Sequence, residues 1–309
     1  MSYPTICPIC RGKLAINSES YEINDLFAWW QRDGFPFSAR VRSQYPQTGT
    51  TDLLTCVTCG FGIFYPTWVG TEDFYRELFQ LGGPGYYARD TWEHREALQD
   101  LSACRNILDV GCGQGRFLER LKARGREGWG LELNPDAVRL AKNHGLLVEN
   151  LPVEQFAADH QEMFDGVCLF QVLEHVSEPT EFINASLACL KTGGYLILSV
   201  PDMNGVLGKI RPLLTNVPPH HVSRWTADTL VFLGQQVNLA LQTIKHEPVY
   251  DFLPRYLGEK CQIYLPQFLQ TTKFWRSLLK VPGKVLRFVK PQGLASLGGH
   301  TVYAVYRKT

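Results

Sequence analysis

The run Ile107-Leu-Asp-Val-Gly-Cys-Gly-Gln-Gly-Arg-Phe-Leu118 constrains this chain most tightly, because it joins an apolar strand to an amphipathic helix through three glycines. Gly111, Gly113 and Gly115 make a turn in which side chains would block a ligand lying against the backbone. The helix that follows aims its first amides, and the positive end of its dipole, at the same place. Glu132 comes 21 residues after Gly111, at the tip of the next apolar run, where a carboxylate can accept hydrogen bonds from a sugar diol.

Two familiar nucleotide loops are excluded. A phosphate-binding loop needs Lys-Ser or Lys-Thr after its last glycine, and none follows here. A dinucleotide fingerprint needs glycine at 116, where the chain has Arg116. The remaining pattern, Asp109-x-Gly-x-Gly-x-Gly115 with Glu132, resembles motif I and the following acidic loop of the class I S-adenosylmethionine-dependent methyltransferases.

The resemblance continues for some two hundred residues. Glu149-Asn-Leu-Pro152 corresponds to the loop that contacts adenine in that family, and Phe164–Val176 to the fourth strand and its exit. Leu190–Asp202 corresponds to the turn and fifth strand, and His300–Arg307 to a final antiparallel strand paired with Leu241–Tyr250. Alternating strand-like and helix-like segments argue separately for a parallel sheet with crossover helices. The implied fold is α/β: a Rossmann-like, seven-stranded methyltransferase sheet with helices on both faces, preceded by a small N-terminal module. The implied cofactor is S-adenosylmethionine. Its expected contacts are Asp109, Gly111, Gly113, Gly115, Glu132, Leu133, Asn150, Leu151, Phe170 and Gln171. Tyr87 joins them from a segment, with Tyr86 and Arg89, that family members lay over the cofactor.

Cys7-Pro-Ile-Cys10 and Cys56-Val-Thr-Cys59 are two C-x-x-C knuckles that together offer four thiolates to one structural zinc. The 45 residues between them exceed ordinary zinc-ribbon spacing, so the ribbon carries an aromatic-rich insertion over Tyr21–Val41. Those aromatics either pack the small module or line a substrate face. Two disulfides are the competing reading of the cysteines. It is disfavoured because Cys104, Cys112, Cys168, Cys189 and Cys261 show no pairing pattern, as in a reducing cytoplasm.

The expected division is a zinc-binding module over 1–70, a helical connector and cofactor lid over 71–100, and the methyltransferase domain over 101–309, with a basic insertion at 252–298. No apolar run is long enough to span a bilayer. The net charge of +1 hides an asymmetry: from Arg255 onward there are ten Lys/Arg against the single acid Glu259. Such a tail is a solvated face, an attractor for an anionic acceptor, or, through 273–290, a peripheral membrane contact. No module for specific nucleic-acid recognition is visible, and oligomeric state is not encoded in any motif.

Methyl transfer to a hydroxyl needs a base, and Val217-Pro-Pro-His-His-Val-Ser-Arg-Trp-Thr226 supplies His220 and His221 just past the fifth strand. His221 with Trp225 and Thr226 is similar to the His-x-x-x-aromatic-Thr element of small-molecule methyltransferases, which implies a catalytic role. The alternative is a loop-ordering or helix-capping histidine. His175 reads as structural or cofactor-adjacent. Cys59-Gly-Phe-Gly-Ile-Phe-Tyr-Pro66, Phe74-Tyr75 and Tyr86-Tyr87 further resemble methyltransferases of bacterial polysaccharide and natural-product pathways, which implies a saccharide or a nucleotide- or lipid-linked acceptor. The histidine loop matches sugar C-methyltransferases only loosely, leaving O- and N-methylation open. An RNA base methyltransferase and a non-catalytic cofactor-binding scaffold are the alternative functions.

Overall fold

A computed structural model describes residues 3–82, 91–205, 208, 214–248 and 298–309. Tyr87 and nearly all of the basic insertion, including 273–290, lie outside the described residues.

The chain opens with β1 (Leu14–Glu22), α1 (Ile23–Arg32) and α2 (Ala39–Arg42), then β2 (Thr50–Cys56) and β3 (Gly62–Tyr65). β1 alternates buried and solvent-facing residues, the signature of a strand covered on one side. Its aromatic insertion packs inward: Trp30 is buried with Ile23, Leu26, Val41, Phe64 and Phe74. Next come α3 (Glu72–Gly82), α4 (Trp92–Asp100), β4 (Asn106–Val110), α5 (Arg116–Lys122), β5 (Glu127–Leu131), α6 (Pro135–Asn143) and β6 (Leu147–Glu149). The remainder is α7 (Val153–Phe156), β7 (Phe164–Phe170), α8 (Pro179–Cys189), β8 (Leu190–Pro201), β9 (Ser223–Arg224), α9 (Ala227–Gln236), β10 (Leu239–Pro248) and β11 (Gly298–Lys308).

Seven strands form one sheet in the order β10-β11-β8-β7-β4-β5-β6. β8, β7, β4, β5 and β6 are mutually parallel, while β11 runs antiparallel between β8 and β10. Because strand side chains alternate, neighbouring residues serve opposite faces. Ile107, Cys168, Ile197 and Tyr303 pack with α4, α5 and α6 on one side. Leu108, Val167, Leu196 and Val302 pack with α7, α8 and α9 on the other. Strand order reverses at β4 and β7, whose carboxyl ends lead into Gly111 and Gln171. Open α/β sheets bind ligands at that switch point.

A second, antiparallel sheet has the order β1-β2-β3-β9. Its last strand comes from the histidine loop: Gly62 pairs with Arg224 and Ile63 with Ser223. The cysteine knuckles also rest on the larger core. Thr180 at the start of α8 donates to the Pro8 carbonyl at 3.0 Å, and Thr229 in α9 donates to the Cys59 carbonyl at 2.8 Å.

Candidate active site

At the switch point the glycine loop is fixed by its own hydrogen bonds. The amides of Gly111 and Cys112 both donate to the Leu131 carbonyl, at 2.7 and 3.0 Å. Gly115 caps α5 with φ of +79°, a conformation that favours glycine, and a Cβ there would lie 2.4 Å from Leu146 Cδ1. The backbone conformation therefore favours glycine here, and the Leu146 side chain would have to move to admit a Cβ.

Glu132 closes the loop from the tip of β5. Its Oε2 accepts from the Gly113 amide at 2.9 Å and its Oε1 from the Asn134 amide at 2.8 Å. Asn134 in turn caps α6 by accepting from the Asp136 amide, and Asn150 Nδ2 donates to the Glu132 carbonyl at 2.8 Å. A carboxylate has about four acceptor positions, so each Glu132 oxygen keeps capacity for a diol. Leu133 and Leu151, next in the chain to Glu132 and Asn150, are 59% and 36% exposed.

The floor is less accessible. Phe170 is 8% exposed and stacks edge-on with Phe117 at 5.0 Å, so it acts mainly through the core. Gln171 adopts φ of +53°, its amide donating to Ser199 and its Nε2 lying 3.4 Å from Thr301 Oγ1. A non-glycine residue in the left-handed region at a strand exit is the kind of local strain that collects at functional sites. Asp109 is buried at the end of β4. Desolvation, with the Glu132 charge second, raises its carboxyl to about 8. Desolvation also raises the Glu132 carboxyl.

A cluster of three histidines lies past the exit of β7. His220 and His221 are 5% and 7% exposed and stack on each other with centroids 4.4 Å apart. His175, in the 3-10 turn Leu173–His175 after β7, stands edge-on to both at 4.7 Å. Tyr75 from α3 places its hydroxyl 2.9 Å from His175 Nδ1 and 3.2 Å from the His220 carbonyl. Trp30 meets the His220 ring from the other side at 5.9 Å. Burial lowers the His175 imidazole to about 4 and depresses His221 well below the usual histidine range, so both rings are neutral near pH 7. Beneath them Glu174 is buried, and desolvation lifts its carboxyl to about 8.

Neither His220 nor His221 caps the following helix. Thr226 does so, its Oγ1 accepting from the Thr229 amide at 3.2 Å. The sequence marks Tyr75 only through the Phe74-Tyr75 resemblance and His175 only as structural or cofactor-adjacent, and it assigns Glu174 no role. The only available signal was the Glu174-His175 pair at a strand exit, which becomes informative once His220 and His221 lie beside it.

The four knuckle cysteines converge. Cys7 Sγ lies 3.7 Å from Cys59 Sγ, Cys10 Sγ lies 3.4 Å from Cys56 Sγ, and all four sulfurs fall within 4.8 Å. Tetrahedral zinc with bonds of about 2.3 Å separates its sulfurs by about 3.8 Å, so the set has the size of such a site. Amides of Ile9, Gly12 and Thr58 donate to Cys7, Cys10 and Cys56 sulfurs at 3.4 Å, as thiolates require. These separations are far longer than a disulfide bond.

Comparison with known proteins agrees with this geometry. Residues 86–244, half of the chain, match the family model described as a methyltransferase domain. The chain is 35% identical over 106 residues to a ubiquinone biosynthesis O-methyltransferase of Alkalilimnicola ehrlichii, covering 32% of this chain and 43% of that protein. It is 37% identical over 115 residues to the namesake of Xanthomonas oryzae pv. oryzae, covering 35% of this chain and 47% of that one. The chain thus spans about half the length of the curated relatives it matches. Among solved structures, the cyclase SpnF superposes with a TM-score of 0.51 at 16% identity, covering 78% of this chain and 97% of that one, which shows a shared fold. With the strand order, the glycine loop and the family match all in place, the chain belongs to the methyltransferase-domain family.

Proposed function

We propose that this protein transfers a methyl group from S-adenosylmethionine to a hydroxyl of a small molecule. The observation that carries the reading is Glu132, held by the Gly113 and Asn134 amides across the glycine loop with acceptor capacity to spare. Bound there, the cofactor supplies an electrophilic methyl on a sulfonium. Asp109, Gly111, Gly113 and Gly115 shape the loop, Leu133, Asn150 and Leu151 border the adenine end, and Phe170 and Gln171 form the floor.

The protein's remaining tasks are alignment of the acceptor, exclusion of water and handling of one proton. His220 and His221 sit beside the switch point on a wall of Trp30, Phe74 and Tyr75. A neutral imidazole draws the hydroxyl proton as the acceptor oxygen attacks. The new C–O bond takes both electrons from oxygen, and the departing sulfur keeps the pair of the broken C–S bond. O-methylation is favoured because a cluster of proton acceptors is useful to a hydroxyl and superfluous to a neutral amine. The relatives named above are O-methyltransferases by name. For the acceptor class, we favour a saccharide or a nucleotide- or lipid-linked metabolite, on the resemblance of Cys59–Pro66 and Phe74-Tyr75 to pathway methyltransferases. The four cysteines hold a structural zinc, since four thiolates leave no coordination position for chemistry.

Calorimetric titration with S-adenosylhomocysteine, followed by a search of cell extract for methylated products carrying label from the cofactor, tests the reading. Saturable heat and a labelled methyl ether are expected. Absence of binding by folded protein would refute it, and a labelled amine, RNA or C-methyl product would redirect it.

A further inference from the structure

The histidine cluster has a donor geometry that proton transfer alone does not explain. His175, His220 and His221 each place a ring nitrogen within 4.8 Å of the others, although they come from two segments 45 residues apart. Two of the rings have a fixed tautomer. His175 Nδ1 lies 2.6 Å from the His220 carbonyl, and His220 Nδ1 lies 3.0 Å from the Thr215 carbonyl. A carbonyl oxygen only accepts, so each Nδ1 carries the proton and the lone pair of the neutral ring is left on Nε2; the Gln171 carbonyl is a second backbone partner of the His175 ring. Metal-bound imidazoles are held in this way, with the remote N–H on a carbonyl.

Glu174 supplies the second observation. It is 1% exposed, and its Oε1 lies 4.0 Å from His175 Nε2 and 3.9 Å from His221 Nε2, too far for hydrogen bonds. Its Oε2 is buried with no hydrogen-bond partner among the described residues. The spacing is informative as well: a metal bonded to nitrogen at about 2.0–2.1 Å and to oxygen at about 2.0–2.2 Å separates those atoms by up to about 4 Å.

We propose that His175, His220 and His221, with Glu174 beside two of them, bind a divalent first-row transition ion, of the zinc class, at a site separate from the four cysteines. Three imidazoles are a borderline donor set that suits zinc, iron(II) or cobalt(II) better than magnesium or calcium, which prefer all-oxygen shells. Tyr75 braces His175 from behind, and Trp30 and the His220–His221 stack limit rotation of the rings. Such an ion would act as a Lewis acid on an acceptor hydroxyl and would then take over the task assigned above to an imidazole. That use rests on the methyl-transfer reading. The binding itself does not.

The test is metal stoichiometry on the full chain. Protein stripped with chelator, reloaded with excess zinc or cobalt(II) and dialysed should hold two ions per chain by mass spectrometry. The cobalt form should show thiolate charge-transfer bands from the cysteines and separate d–d bands from a nitrogen and oxygen site. His221→Ala and the milder His175→Gln should each drop to one ion, keep the thiolate bands and lose the others. A wild-type chain that never exceeds one ion overturns the proposal, as does a second ion that both variants retain. If a variant fails to fold, the wild-type count and spectrum decide. Titration of the same samples with S-adenosylhomocysteine keeps this outcome apart from that of the methyl-transfer reading.

Discussion

Arg224 donates to both carboxylate oxygens of Glu19, one bond measuring 2.7 Å, across 205 residues of sequence. The guanidinium is 6% exposed and also lies over the Phe64 ring at 4.9 Å. This pair joins the first strand of the N-terminal module to the loop that carries His220 and His221. The module thereby becomes part of the wall of the site.

Removing one partner of a buried ion pair strands the other charge. Glu19→Ala should therefore destabilise the protein by about 3–5 kcal/mol, measured by urea denaturation. The double replacement Glu19→Leu with Arg224→Met should recover much of that loss, because no charge is then left without a partner. Equal stability of the single variant and wild type would show that the pair contributes nothing.

Glu132→Ala removes the carboxylate that bridges the Gly113 and Asn134 amides. Affinity for S-adenosylhomocysteine should fall by about 1–3 kcal/mol, roughly 5- to 150-fold in Kd, through lost charge-assisted hydrogen bonds. Calorimetry at matched folded fraction measures the change directly.

Asp109 links stability to pH. Its folded carboxyl titrates near 8, while an unfolded aspartate titrates near about 3.9. Below that lower value both states are protonated and the group has no effect. As pH rises toward 8 the unfolded chain gives up its proton first, so ionisation favours unfolding and stability falls across the window. Asp109→Asn cannot ionise and should escape the decline. Its advantage over wild type should grow by about 2–5 kcal/mol between pH 4 and 8 in cofactor-free protein, read from denaturation curves.

Cys56→Ser removes one of four converging sulfurs. Because Cys56 and Cys59 pack in one core with Leu54, Phe61 and Trp225, loss of the ion should loosen the larger sheet face as well as the knuckles. A lowered Tm insensitive to chelator is expected for the variant, against a chelator-sensitive Tm for wild type. Chelator-insensitive melting of the wild type would argue against a structural ion.

Much of this architecture is legible in short stretches of sequence. The apolar run before Gly111 and the amphipathic pattern after Gly115 locate β4 and α5. Glu132 is readable because strand, turn and helix lengths fix where the next strand must end. The knuckles are equally local, since two residues between cysteines suffice to aim both sulfurs one way. Boundaries shift by a residue or two, as with the strand expected from Leu241, which begins at Leu239.

Features set by backbone geometry over a few residues are thus readable along the chain: the strand–glycine–helix unit, the acidic tip and the paired cysteines. Only the tertiary structure decided that His175 stands against His220 and His221, that Glu174 lies beneath them, and that Glu19 anchors Arg224. These contacts depend on sheet order and on β9 crossing to the smaller sheet. No periodicity or spacing along the chain reports such an encounter, because it is the burial of distant surfaces against one another that brings those side chains together.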